Sequence, residues 1–284
     1  MRVCCWLTTL LLACAATPAA AQDARSLVAR NLQARGGEAA LSAIRSIRFE
    51  GRTIFPGNFE LGYKEARARL GSGTASRLDL TVQGLDLVQG YDGEGGAWKI
   101  NPFQGRKDPE KMSSDEAREM ADSALIEGPL LASRGDGSDV HYLGRDDFDG
   151  TLAYKLKVIQ KDGDEFVYWL DPDTFLEIKI QETRRIRGAT HTTETELGDY
   201  EKVAGVYFPM SIESWTEGQD NQRQRTIIAA GQANGPVPSD YFAEPGGVTA
   251  PATADGRPPD ASARPHGKHT DKPDPVPGSK PQGE

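Results

Sequence analysis

Apolar residues recur along this 284-residue chain with two different periods, and the change falls near residue 46. Leu27, Val28, Asn31 and Leu32 repeat at helical spacing, with Asp23 placed to cap the helix and Gly36-Gly37 placed to stop it. A second short helix is predicted from Glu38 to about Arg45, with Ala40, Leu41 and Ile44 as its stripe. Beyond it the period falls to two, the mark of strands with one buried face. Ile47, Phe49 and Phe55 alternate with Arg48, Glu50 and Arg52, and Leu78, Leu80 and Val82 with Arg77, Asp79 and Thr81. Further rows are Leu152, Tyr154, Leu156 and Val158; Leu176, Ile178 and Ile180; and Val206, Phe208, Met210 and Ile212. Asp92-Gly93, Asp149-Gly150, Asp162-Gly163 and Asp171-Pro172-Asp173 supply the turns. About ten to twelve strands in hairpin-length connections predict an antiparallel meander that curls around one interior.

One helical stretch interrupts the strands. Ser113 or Ser114 caps it, Asp115 and Glu116 suit the dipole of its first turn, and Met120, Leu125 and Ile126 carry its apolar face. Gly128-Pro129 breaks it before Leu130-Leu131. These helices can bury their stripes on the concave face of the sheet. The predicted fold is therefore mainly β with α: an open antiparallel half-barrel whose concave face is plugged by helices.

The two ends differ from this core. Arg2, the apolar run Val3–Ala16 and the small residues Ala19-Ala20-Ala21 describe a secretory leader, with residues 1–21 removed on export. Leu11-Leu12-Ala13-Cys14 resembles a lipobox, which offers the alternative of a lipid anchor at Cys14. All three cysteines, Cys4, Cys5 and Cys14, lie in this leader, so residues 22–248 form a domain without disulfides. From Pro245 onward come nine of the eighteen prolines and no aromatic residue. Residues 249–284 read as a disordered tail.

Charge and motifs narrow the chemistry. The formal net charge of −9 carries no basic face, which argues against nucleic acid. The one basic run, Arg184-Arg185-Ile186-Arg187, reads as a strand end and turn in solvent. His141 and His191 stand alone in the domain, no metal or other cofactor is expected, and Asp146, Asp147 and Asp149 read as an acidic hairpin rather than a calcium loop. No nucleophile elbow or phosphate loop is present. The domain reads as non-enzymatic, with a hydrolase as the weakest alternative. Trp98, Phe103, Tyr154, Phe166, Tyr168 and Trp169 either fill the core or line a ligand cavity.

The stretch Asp92-Gly93-Glu94-Gly95-Gly96-Ala97-Trp98-Lys99-Ile100-Asn101-Pro102-Phe103 resembles the segment that leads into the lid of the periplasmic outer-membrane lipoprotein carriers (LolA-like proteins). Tyr168-Trp169-Leu170-Asp171-Pro172, residues 199–209 and the ending Asp240-Tyr241-Phe242 resemble that family too. The resemblance implies a monomeric periplasmic carrier or receptor, holding a lipid or acylated lipoprotein in a lidded cavity. It also implies membrane-anchored donor and acceptor proteins. Ligand contacts are expected from Phe49, Trp98, Phe103, Met120, Leu125, Leu130, Leu131, Tyr154 and Tyr168, with Trp98 at the cavity rim. Arg69 stands where the family places an arginine that latches the lid, with Leu70 in place of the family's proline. A sensor of the envelope that binds a protein partner on the same fold is the alternative.

Overall fold

Two helices open the structure, a computed structural model that describes residues 19–71, 73–238 and 240–246, with side chains from Ala24 onward. The predicted leader and tail thus lie almost wholly outside the described residues. Helix α1 (Ala19–Arg35) begins before the predicted cap, so Asp23 falls inside it. Helix α2 (Gly37–Ala43) follows after Gly36, whose φ is 126°. A Cβ on Gly36 would stand 2.3 Å from the Gly205 carbonyl oxygen, so only glycine fits this turn.

Six strands then run outward: β1 (Ser46–Phe55), β2 (Phe59–Leu70), β3 (Gly73–Val82), β4 (Leu85–Tyr91), β5 (Ala97–Ile100) and β6 (Glu110–Lys111). Helices α3 (Ser114–Ala124) and α4 (Pro129–Ala132) come next. Seven strands return: β7 (Asp139–Phe148), β8 (Thr151–Ile159), β9 (Glu165–Leu170), β10 (Glu177–Ile186), β11 (Ala189–Val203), β12 (Val206–Thr216) and β13 (Gln224–Ala233). All thirteen form one sheet in the order β6-β5-β4-β3-β2-β1-β13-β12-β11-β10-β9-β8-β7. The first and last strands pair in the middle, and β6 and β7 are the unpaired edges. The sheet is open, and α3–α4 join its two edges.

The register separates the two faces. Phe49, Glu65, Leu78, Gln89 and Lys99 stand opposite one another across β1–β5, and so do Arg48, Ala66, Arg77, Gly90 and Trp98. Cross-strand partners share a face. Phe49 belongs to the main core, with Ile47, Leu156, Phe208, Met210 and the helical residues Leu27, Leu41, Leu130 and Leu131. That row is concave, and the Trp98 row is convex. Here Ala66, Ala68, Ala75 and Phe242 make a second, small core, with Val237 and Tyr241 packed on it. The segment after β13 therefore straps the outer face.

Trp98 is thus placed on the outer face of the sheet, away from the concave rim. It is 2% exposed and its Nε1 donates to the Phe242 carbonyl oxygen at 2.9 Å. Alternation told that Trp98 and Ile100 share a face, but which face depends on the long-range packing of Phe242. The indole ring lies over Gly90, where an added Cβ would stand 2.4 Å from it. Trp98→Ala should therefore lower stability by about 3–5 kcal/mol and Gly90→Ala by about 1–3 kcal/mol in urea denaturation. In the Trp98→Ala background, Gly90→Ala should become nearly neutral, because the ring it strikes is gone. A Trp98→Ala loss below about 1 kcal/mol would contradict this packing.

Candidate functional site

Helix α3 starts where the sequence places it, because Ser113 and Glu116 form a reciprocal cap. The Ser113 amide donates to Glu116 Oε2 at 2.9 Å, and the Glu116 amide donates to Ser113 Oγ. The helix ends at Ala124, residues 125–128 make a bend, and Pro129 starts α4 after Gly128 at φ 76°. This crossing segment packs over β3–β5 on one side and β9 on the other. Ile126, Leu130 and Leu131 are buried beneath it.

Between the crossing segment and the sheet lies a cavity of about 340 Å³. Phe49, Phe166, Phe208, Ile212 and Ile228 give it an apolar floor, and Leu125, Ile126 and Leu130 an apolar roof. Glu65, Arg67, Glu182 and Arg184 make its sides charged. Tyr168 lines it too, and its buried hydroxyl has no hydrogen-bond partner of good geometry. Burial pushes the Tyr168 phenol well above its ordinary pKa.

Four of the expected ligand residues meet here: Phe49, Leu125, Leu130 and Tyr168. Leu131 is buried in the adjoining core, and Met120 is half-buried on α3. Tyr154 is elsewhere, stacked on Phe175 at 5.7 Å and beside a smaller pocket near Leu27 and Tyr142. Phe103 is 46% exposed in a 3-10 turn, and Trp98 lies on the convex face. Asp146 accepts from Lys155 at 2.7 Å and from the Trp169 indole, which holds it in the β7–β8 hairpin.

Polar contacts tie the crossing segment to both halves of the sheet. Arg69 donates to the Ile44 carbonyl and, from both terminal nitrogens, to Glu127, the closer contact being 2.7 Å. It thereby joins the end of α2 to the bend between α3 and α4. Arg67 donates to the Leu125 carbonyl at 3.3 Å and to Glu65 at 2.8 Å. On the other half, Arg184 Nη2 meets Asp122 at 2.7 Å, while Glu182 and Asp164 take its remaining nitrogens. Burial opposes the Arg184 cation, yet Glu182 and Asp122 raise its pKa above the ordinary value. Burial raises both Glu182 and Asp164 above the usual carboxylate range. Lys99 on β5 holds Glu116 at 2.5 Å.

Arg184 corrects the reading of its basic run as solvent-facing, for it is 4% exposed. Ile180, Glu182 and Arg184 alternate toward the cavity, so parity with Ile180 was the available signal. The same parity carries Tyr63 into Glu65, Arg67 and Arg69 along β2. Charge concealed it, because a charged residue in an alternating strand ordinarily marks the wet face.

No protein-family model matches this sequence, and no curated protein matches it. Solved structures do. A domain from Vibrio parahaemolyticus assigned as an outer membrane lipoprotein-sorting protein aligns with 79% of this chain and 96% of its own, at 13% identity and a TM-score of 0.52. A LolA superfamily protein from Nitrosomonas europaea gives 77%, 96%, 14% and 0.51 in the same order. The chain has the LolA-like fold. A DUF1329 family protein from Desulfovibrio piger is similar over 77% of this chain and 96% of its own, at 11% identity and a TM-score of 0.55. Identities this low carry the fold alone.

Acid should loosen one of these ties. Lys99 and the Ser113 amide hold Glu116 down at about 2, against 4.5 for the free side chain. A carboxylate with a depressed folded-state pKa stabilises above its unfolded value and loses that contribution as pH falls toward the folded one. Glu116→Gln should therefore melt below wild type at pH 7, and the gap should close between about pH 4.5 and pH 2. A gap that is unchanged at pH 2.5, or absent at pH 7, would contradict the assignment.

Proposed function

We propose that this protein is an exported carrier or receptor for a lipid-like ligand, an acylated lipoprotein or a free lipid, with α3–α4 as the lid. The observation that carries this reading is the composition of the crossing segment. Its apolar side chains Ile126, Leu130 and Leu131 fill the bed of Phe49, Phe166 and Phe208, while its hydrophilic residues are tied to the sheet by ion pairs. An acyl chain can take the place of those aliphatic side chains without leaving the bed exposed.

Magnitudes support the exchange. Three buried aliphatic residues stabilise the closed lid by about 1.5–3 kcal/mol each. Burying an acyl chain contributes about 0.8 kcal/mol per methylene, so a chain of roughly twelve carbons is enough to compete. The cavity of about 340 Å³ lies at the low end of ligand-pocket volumes and beneath the crossing segment, so movement of the lid opens it to longer chains. Export by the leader 1–21 would put the domain in the periplasm, where membrane-anchored donor and acceptor proteins are the natural partners. The tail 249–284 has no role in this scheme.

The purified full-length protein should carry lipid that mass spectrometry of an organic extract identifies. Hydrogen exchange should find residues 114–131 less protected than β8–β10 without ligand, and more protected once ligand is restored. Equal protection in both states, with an extract free of lipid and a protein partner co-purifying instead, would replace the carrier by a sensor.

A further inference from the structure

Beside the main cavity lies a second pocket of about 250 Å³, and Glu127 lines both. Arg45, Arg69 and Arg134 line it as well, facing two carboxylates, Glu38 and Glu127. Glu38 is taken by Arg134 at 2.6 Å and by the Ser42 hydroxyl at 3.1 Å. Both residues of that pair are exposed; Glu38 lies on α2, whereas Arg134 follows α4 and donates from Nε to the Leu131 carbonyl at 3.0 Å. Glu127 is taken by Arg69 through both oxygens. Of Arg45, only backbone groups make hydrogen bonds among the described residues.

The two carboxylates differ in one respect: Glu127 sits on the lid and Glu38 does not. When the lid lifts, Glu127 leaves with it, as does Arg134, and the Arg45 and Arg69 guanidinium groups are left facing Glu38 alone. Arg69 then loses its partner in a half-buried setting, where an unpaired charge is unfavourable. An arginine fork suits a phosphate or carboxylate as well as it suits Glu127. We infer that Arg45 and Arg69 form a binding site for the anionic head group of the ligand, which Glu127 fills as a stand-in while the lid is closed. The inference rests on the carrier reading and adds the ligand's class to it: an apolar chain ending in a phosphate or carboxylate. The chain lies in the bed of Phe49 and Phe208, and the head passes the place that Glu127 vacates.

The test uses the full chain loaded with a neutral apolar dye, N-phenyl-1-naphthylamine, at constant ionic strength. Dodecyl phosphate, dodecyl maltoside and dodecyltrimethylammonium compete for it, each below its micelle concentration. Dodecyl phosphate should bind about tenfold tighter than the maltoside, the scale of one charge-assisted contact. Arg45→Gln should shrink that ratio to below about threefold, while Arg45→Lys should keep it. Glu127→Gln should tighten dodecyl phosphate, because no carboxylate has to be displaced. Equal binding of the three amphiphiles, a preference for the ammonium, or a ratio unmoved by Arg45→Gln would overturn the head-group site and leave the carrier reading standing. If none of the three displaces the dye, both fall.

Discussion

The edges of this sheet do not meet. With β1 and β13 paired at its centre, the chain must travel from β6 at one edge to β7 at the other, and the concave face lies along the way. Residues 112–138 make that journey, and the proposed function follows from their having to cross. They are covalently fixed at both sheet edges, the Met112 amide donates to the Ala97 carbonyl, and beyond it side chains hold them to the sheet. Such a segment can lift without breaking a single strand pair, which is what a lid requires.

The hold on that segment is mixed in kind. Apolar packing of Ile126, Leu130 and Leu131 is specific to whatever else can fill the same bed. The ion pairs at Arg69, Arg184 and Lys99 are specific to charge and geometry, and they come from both halves of the sheet. Turning a two-state lid from mostly closed to mostly open needs about 5.5 kcal/mol of differential binding. In the proposed scheme a molecule with an apolar chain and an anionic head supplies it, since each part replaces one kind of contact.

Much of the architecture was legible in the sequence, because it rests on local signals. The change from helical to alternating period and a cap at one of the two serines Ser113 and Ser114 stand where the residues placed them, whereas helix α3 ends at Ala124, short of the break expected at Gly128-Pro129. The thirteen strands include β6, only two residues long, which no periodicity could reveal. The site was less legible. Phe49, Leu125, Leu130 and Tyr168 come together as apolar residues should, whereas Arg67, Glu182 and Arg184 carry charge on strands and look wet. Their burial depends on partners far away in the chain, Arg184 with Asp122 and Arg69 with Glu127. Trp98 shows the same limit in reverse: expected at the cavity rim, it is buried on the convex face beneath Phe242.

Distance measurements across the lid test the central claim most directly. With Cys4, Cys5 and Cys14 replaced by serine, spin labels at Glu119→Cys and Thr81→Cys report the separation of α3 from β3, both positions being exposed. Without ligand the account predicts one narrow distance. Adding dodecyl phosphate should bring in a second, longer distance, and Arg69→Ala should bring it in without any ligand. A single unchanged distance under all three conditions would mean that the crossing segment is fixed core and that the cavity has no lid.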